Sequence, residues 1–107
     1  MRVLETMYVL REPEAIRAFV DRHPDVTDVL SEAVWRIPES LPSDERIALE
    51  LVHDPDDDGD PGTLFAIVRT RLGAEEIRPI LARMHHEWVI DAVRRAGGRF
   101  NVHVEFV

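Results

Sequence analysis

Phe100-Asn101-Val102-His103-Val104-Glu105-Phe106 alternates apolar and polar side chains without a break. Successive side chains leave a strand on opposite sides, so this period of two describes a β-strand with one face buried. Working back from it, Gly97-Gly98 closes a stretch of different rhythm, in which Ile77, Leu81, Met84 and Trp88 follow at steps of four, three and four. Those steps draw one stripe along a helix. Ala74-Glu75-Glu76 after Gly73 puts acids at its N-terminus and Arg94 and Arg95 put positive charge in its last turn, both favoured by the helix dipole. Pro79, near the first turn, is expected to shift the start or bend the helix.

Further back, Ile47, Leu49 and Leu51 alternate with Arg46, Ala48 and Glu50, and Leu64, Ala66 and Val68 alternate with Phe65, Ile67 and Arg69. Two strands joined by the intervening loop make a hairpin. Hairpin, crossing helix and last strand form a ββαβ unit over residues 46–107. With the last strand beside the first, the order is 2-1-3 and the three-stranded sheet is antiparallel throughout. Residues 1–37 read as helical. Val3, Leu4, Met7 and Tyr8 share one face, and Pro13 opens a second segment carrying Ile16, Phe19 and Val20. After His23-Pro24, a third runs from about residue 25 to 37 with Val26, Val29, Leu30, Ala33, Val34 and Ile37 inward. Ile37-Pro38 through Asp44 reads as a connector. The expected fold is α+β, one domain over 1–107, with the helices on one face of the sheet.

Composition removes whole classes of chemistry. The 107 residues contain no cysteine, which excludes thiol nucleophiles, disulfides and thiolate zinc sites, and leaves the chain indifferent to redox compartment. All 13 basic residues are arginine, so Schiff-base chemistry and a phosphate-loop lysine are excluded. No apolar run approaches a membrane span and no secretory signal is present, so a cytoplasmic location is expected. The net charge of −8 is uneven: six arginines face eleven acids through residue 53, five aspartates crowd residues 54–60, and seven arginines outnumber five acids beyond. That balance repels nucleic-acid phosphates and attracts basic partners.

The crowded segment is His53-Asp54-Pro55-Asp56-Asp57-Asp58-Gly59-Asp60-Pro61-Gly62. Asp54, Asp56 and Asp58 at alternate positions before Gly59 reproduce the first half of an EF-hand loop, which makes calcium at Asp54, Asp56, Asp58 and Asp60 an alternative reading. The second half is absent, because Phe65 stands where the bidentate glutamate belongs. The same composition also describes a plain solvated turn.

Arg83, Glu87-Trp88, Asp91, Arg95-Ala96, Gly98-Arg99 and Glu105-Phe106 together resemble a group of small bacterial proteins. Their pattern is a helix with Glu-Trp-Trp, then Arg-Ala-x-Gly-Lys, then a strand closing on Leu-Glu-Phe. The resemblance covers residues 83–106, with Val89 and Arg99 departing from it. It implies a shared fold and a bacterial source, and no activity.

No catalytic residue is assigned. His85-His86-Glu87 lacks the second histidine four residues on that a zinc helix needs, and no serine sits in a nucleophile elbow. A polar surface of His85, Glu87, Asp91 and Arg95 on the C-terminal helix is the enzyme alternative, against an ordinary Asp91–Arg95 helix ion pair. Trp35 lies off its helix's apolar stripe, and Trp88 reads as core or as a contact residue. The last strand, if at a sheet edge, offers free backbone to a second chain, so a homodimer is plausible. The expectation is a non-catalytic module of antitoxin or inhibitor type without cofactor. It would bind a basic protein surface through Asp54, Asp56, Asp57, Asp58 and Asp60, with Trp35 and Trp88 supplying apolar contact.

Overall fold

Proline opens two of the helices. Its fixed φ suits the first helical position, where no N–H is required, and in the computed structural model α2 (Pro13–Arg22) and α3 (Pro24–Ser40) both begin on one. The structure describes residues 2–41, 43 and 45–107, with side chains from Glu5 onward. The side chains of Val3 and Leu4, and Pro42 and Asp44 of the expected connector, lie outside the described residues. In chain order, α1 (Arg2–Met7) and β1 (Val9–Leu10) precede α2 and α3. They are followed by β2 (Ala48–Val52), β3 (Thr63–Thr70), α4 (Ala74–Met84), a π-helical turn (His85–Val89), α5 (Ile90–Arg95) and β4 (Phe100–Phe106).

The α+β class holds, but the sheet corrects the expected topology. It has four strands in the order β1-β2-β3-β4, with β2 and β3 antiparallel and the other two pairs parallel. The strand following the crossing helix therefore lies beside β3, not beside β2. A helical crossover returns the chain in its starting direction, which makes a parallel partner of the strand it leaves. The other edge of β2 is occupied: Val9 N–H donates to Ile47 O and Arg11 N–H to Leu49 O, both at 2.9 Å. Sequence alternation missed this strand because two residues are too few to show a period.

Register puts Leu49, Ala66 and Val102 in one row across the sheet, and Leu51, Leu64 and Phe100 in another. These residues, with Val68 and Val104, face the helices and join Ile16, Phe19, Leu30, Ile37, Met84 and Trp88 in a single core. Burying about ten aliphatic and aromatic side chains of this kind supplies on the order of 1.5–3 kcal/mol each before chain entropy is subtracted. Tyr8, expected on the α1 stripe, follows that helix and is buried, its hydroxyl donating to Leu30 O at 2.6 Å. Burial raises its pKa well above the usual tyrosine range.

Two helix ends differ from expectation. α3 runs through Pro38 to Ser40, where Leu41 N–H closes the last turn on Ile37 O at 2.8 Å, so the connector starts one turn later. The long C-terminal helix is interrupted by the π turn, in which Ile90 N–H reaches back five residues to His85 O. That extra residue lets Trp88 and Val89, adjacent in sequence, both be buried. At its start, the Glu76 carboxylate accepts the Gly73 N–H at 3.2 Å, the reaching-back half of a capping box.

Candidate functional site

The loop between β2 and β3 is built by its own aspartates. Asp54 Oδ1 accepts the Asp56 N–H at 2.9 Å and Asp57 Oδ1 the Gly59 N–H at 3.0 Å. Asp60 takes two amides, Asp54 N–H at 2.6 Å and Gly62 N–H at 3.0 Å. These bonds, then the nearby His53 and Arg99 charges, hold the Asp60 carboxyl below the usual aspartate range. The oxygens thus follow a spacing of three and turn toward the backbone, whereas an EF-hand needs alternate ones converging on an ion. Among the described residues no group of three or more His, Asp or Glu is arranged to hold a metal. Residues 54–59 are exposed, and none of the five aspartates forms an ion pair with an arginine among the described residues.

Gly62 anchors the loop's far end. It is buried at φ +99°, and a Cβ there would stand 2.9 Å from Leu51 Cδ1 and 3.1 Å from His53 Nε2. Only glycine fits both that backbone and that distance.

The two tryptophans separate. Trp35 is 74% exposed on α3, while Trp88 is 3% exposed in the core, with its Nε1–H unpartnered among the described residues. Trp88 is therefore placed away from any contact surface. The Asp91–Arg95 pair forms at 2.8 Å, and the same guanidinium also reaches Glu32 on α3, tying α5 to the N-terminal helices. His85 Nδ1 lies 2.8 Å from Leu81 O, and Glu87 is exposed. The proposed polar surface on this helix is thus partly consumed in structural bonds.

On the sheet face turned away from the helices, Arg11 makes two bonds to Glu105, at 2.7 and 2.9 Å, and a longer one to Glu50 at 3.4 Å. Arg69 adds contacts to Glu45 at 2.9 Å and Glu105 at 3.7 Å. The Arg11 guanidinium holds the Glu105 carboxyl below the usual glutamate range. Ala48 and Ile67 share this face, yet are buried. Sequence reasoning missed Arg11 because its partner is 94 residues away and the strand that aims it is so short.

β4 lies at the sheet edge. Arg99 O accepts Leu64 N–H and Val107 N–H donates to Thr70 O, so in a parallel ladder the backbone groups of Phe100, Val102, Val104 and Phe106 point to the free side. Asn101 Oδ1 covers one of them, the Val102 N–H, at 2.8 Å. Phe106 and Val107 end the strand half exposed.

A cleft of about 380 Å³ opens between α2 and the acidic loop, lined by the apolar Phe19, Leu51 and Pro61 and by Arg22, His23 and His53. The His23 ring packs 4.5 Å from that of Phe19, tilted by 50°. Burial, then the charges of Arg99 and Arg22, lower the His23 pKa. No family model, curated protein or solved structure matches the chain. Among the described residues no helix is long and apolar enough to cross a membrane.

Proposed function

We propose that the protein is a non-catalytic binding module, of antitoxin or inhibitor type, whose acidic loop meets a basic surface on a protein partner. One observation carries this reading: Asp54, Asp56, Asp57 and Asp58 stand exposed on an internally hydrogen-bonded tip, Asp60 half-buried at its base, and none of the five forms an ion pair with an arginine among the described residues. Because Asp54, Asp57 and Asp60 fix the loop's shape, Asp56 and Asp58 are displayed on a frame that loses little entropy when a partner arrives. Like charges held together steer encounter, raising association rates by roughly 10- to 1,000-fold at low salt. Trp35 is the most exposed of the large apolar side chains at the surface among the described residues. The test is affinity capture from the native host with the wild-type chain and with the Asp56→Asn/Asp58→Asn variant. A stoichiometric partner lost with the variant supports the reading, and equal recovery by both contradicts it.

The β4 edge supports self-association as a second reading. In an antiparallel pair with Val104 opposite Val104, each copy's His103 faces the other's Glu105, a cross-strand match of opposite charge when the imidazole is protonated. Sedimentation equilibrium of the wild type and of Val104→Pro, which removes an edge N–H, separates a dimer from a monomer.

A further inference from the structure

In a chain of net charge −8, the charged and titratable groups lining the cleft beside α2 are all basic. Arg22 comes from the last turn of α2, His23 follows that helix, and His53 follows β2. Arg22 makes no ion pair among the described residues, so its guanidinium fork is available. The rest of the lining is apolar: Ala15, Ala18, Phe19, Leu51 and Pro61. We propose that this cleft binds a small aromatic carboxylate, its ring against Phe19 and Pro61 and its carboxylate on Arg22 with a histidine donor beside it.

The size of the cleft, about 380 Å³, falls in the range of small-molecule sites. An arginine fork matches the two oxygens of a carboxylate, and an apolar wall contributes area without demanding hydrogen bonds. Asp25 and Asp60 lie near enough to act on His23 and on the His53 and Arg99 charges respectively. These two carboxylates oppose the charges of Arg22 and Arg99, so a second negative charge on the ligand gains little while costing more to desolvate, which disfavours a phosphate dianion.

The test is amide chemical-shift titration of the full ¹⁵N-labelled chain at neutral pH and low salt with phenylacetate, benzylamine and phenyl phosphate. Phenylacetate is expected to give saturable shifts confined to residues 15–23, 51–53 and Gly62, half-saturating near about 1 mM for a ligand of this size. Benzylamine should give none, and phenyl phosphate should bind more weakly than phenylacetate. Arg22→Gln should weaken phenylacetate by about fivefold or more. Ala18→Leu, at an exposed helix position, should fill the cleft and remove binding with the rest of the spectrum unchanged. No saturation by phenylacetate, equal binding of benzylamine, tighter binding of phenyl phosphate, or indifference to Arg22→Gln would each overturn the proposal. Because neither variant alters an aspartate of the acidic loop, this outcome is distinguishable from that of the protein-binding reading.

Discussion

Replacing Gly62 by alanine should destabilise the fold far more than the same change three residues earlier at Gly59. At Gly62 the backbone has φ +99°, where an L side chain costs roughly 1–2 kcal/mol. The new methyl group would also lie 2.9 Å from Leu51 Cδ1, with His53 on its other side. Relieving that contact displaces a partly buried leucine packed on the core, an overpacking cost of about 1–2 kcal/mol. The sum is about 2–4 kcal/mol. At Gly59 φ is not positive, and a Cβ would meet only Asp57 Oδ1, at an ordinary 3.5 Å. There, the loss of unfolded-state freedom should leave stability unchanged or raise it by up to about 1 kcal/mol. Urea unfolding, followed by fluorescence of the buried Trp88, measures both. Equal midpoints for the two variants would refute the claim that Gly62 locks the loop to β2.

Glu12 has φ 61° and makes no side-chain cap at the start of α2, so Glu12→Gly should be neutral or stabilising by up to about 1 kcal/mol in the same assay. Arg11→Met should cost about 1 kcal/mol or less, since its partners are a third or more exposed and the methionine keeps an apolar stem of similar length. Its effect should depend on pH. Arg11 depresses the folded pKa of Glu105 below its ordinary 4.5, so the stabilisation is complete above that value and fades as pH falls through the lower folded one. The wild-type advantage in melting temperature should therefore shrink from about pH 6 to about pH 3, and a constant difference would contradict it. Millimolar calcium should leave the melting midpoint where chelator leaves it, because Asp54 and Asp60, two of the four candidate ligands, turn oxygens to backbone amides and the carboxylates do not converge; a raised midpoint would restore the calcium reading.

The strands and long helices were legible where one face only is buried. Phe100, Val102 and Val104, Leu49 and Leu51, and Leu64 to Val68 all show their inward sides in the sequence, as does the stripe through Ile77, Met84 and Trp88, while Phe106, expected inward, is half exposed. Strand order was not legible, because a period of two says which face is buried and nothing about which neighbour is paired. The decisive element was Val9-Leu10, whose two residues carry no period but occupy the edge of β2. The π turn was hidden for a related reason: His85 to Val89 fit an ordinary helix until Trp88 and Val89 both have to be buried. Of the candidate residues, the acidic loop could be read from its charges, but not the bonding of Asp54, Asp57 and Asp60 to the backbone. Sequence spacing suggested a different set, Asp54, Asp56 and Asp58. The basic cleft was invisible because His53, after β2, joins Arg22 and His23, at the end of α2, only in the fold.

The central claim, that the tip between β2 and β3 draws in a basic partner, is tested most directly by association kinetics with the captured partner over a range of salt concentrations. Wild type should associate faster at low salt and slow steeply as salt rises, while Asp56→Asn/Asp58→Asn should show a several-fold lower rate and a flatter dependence, with dissociation little changed. Identical association rates and salt slopes for the two proteins would contradict it.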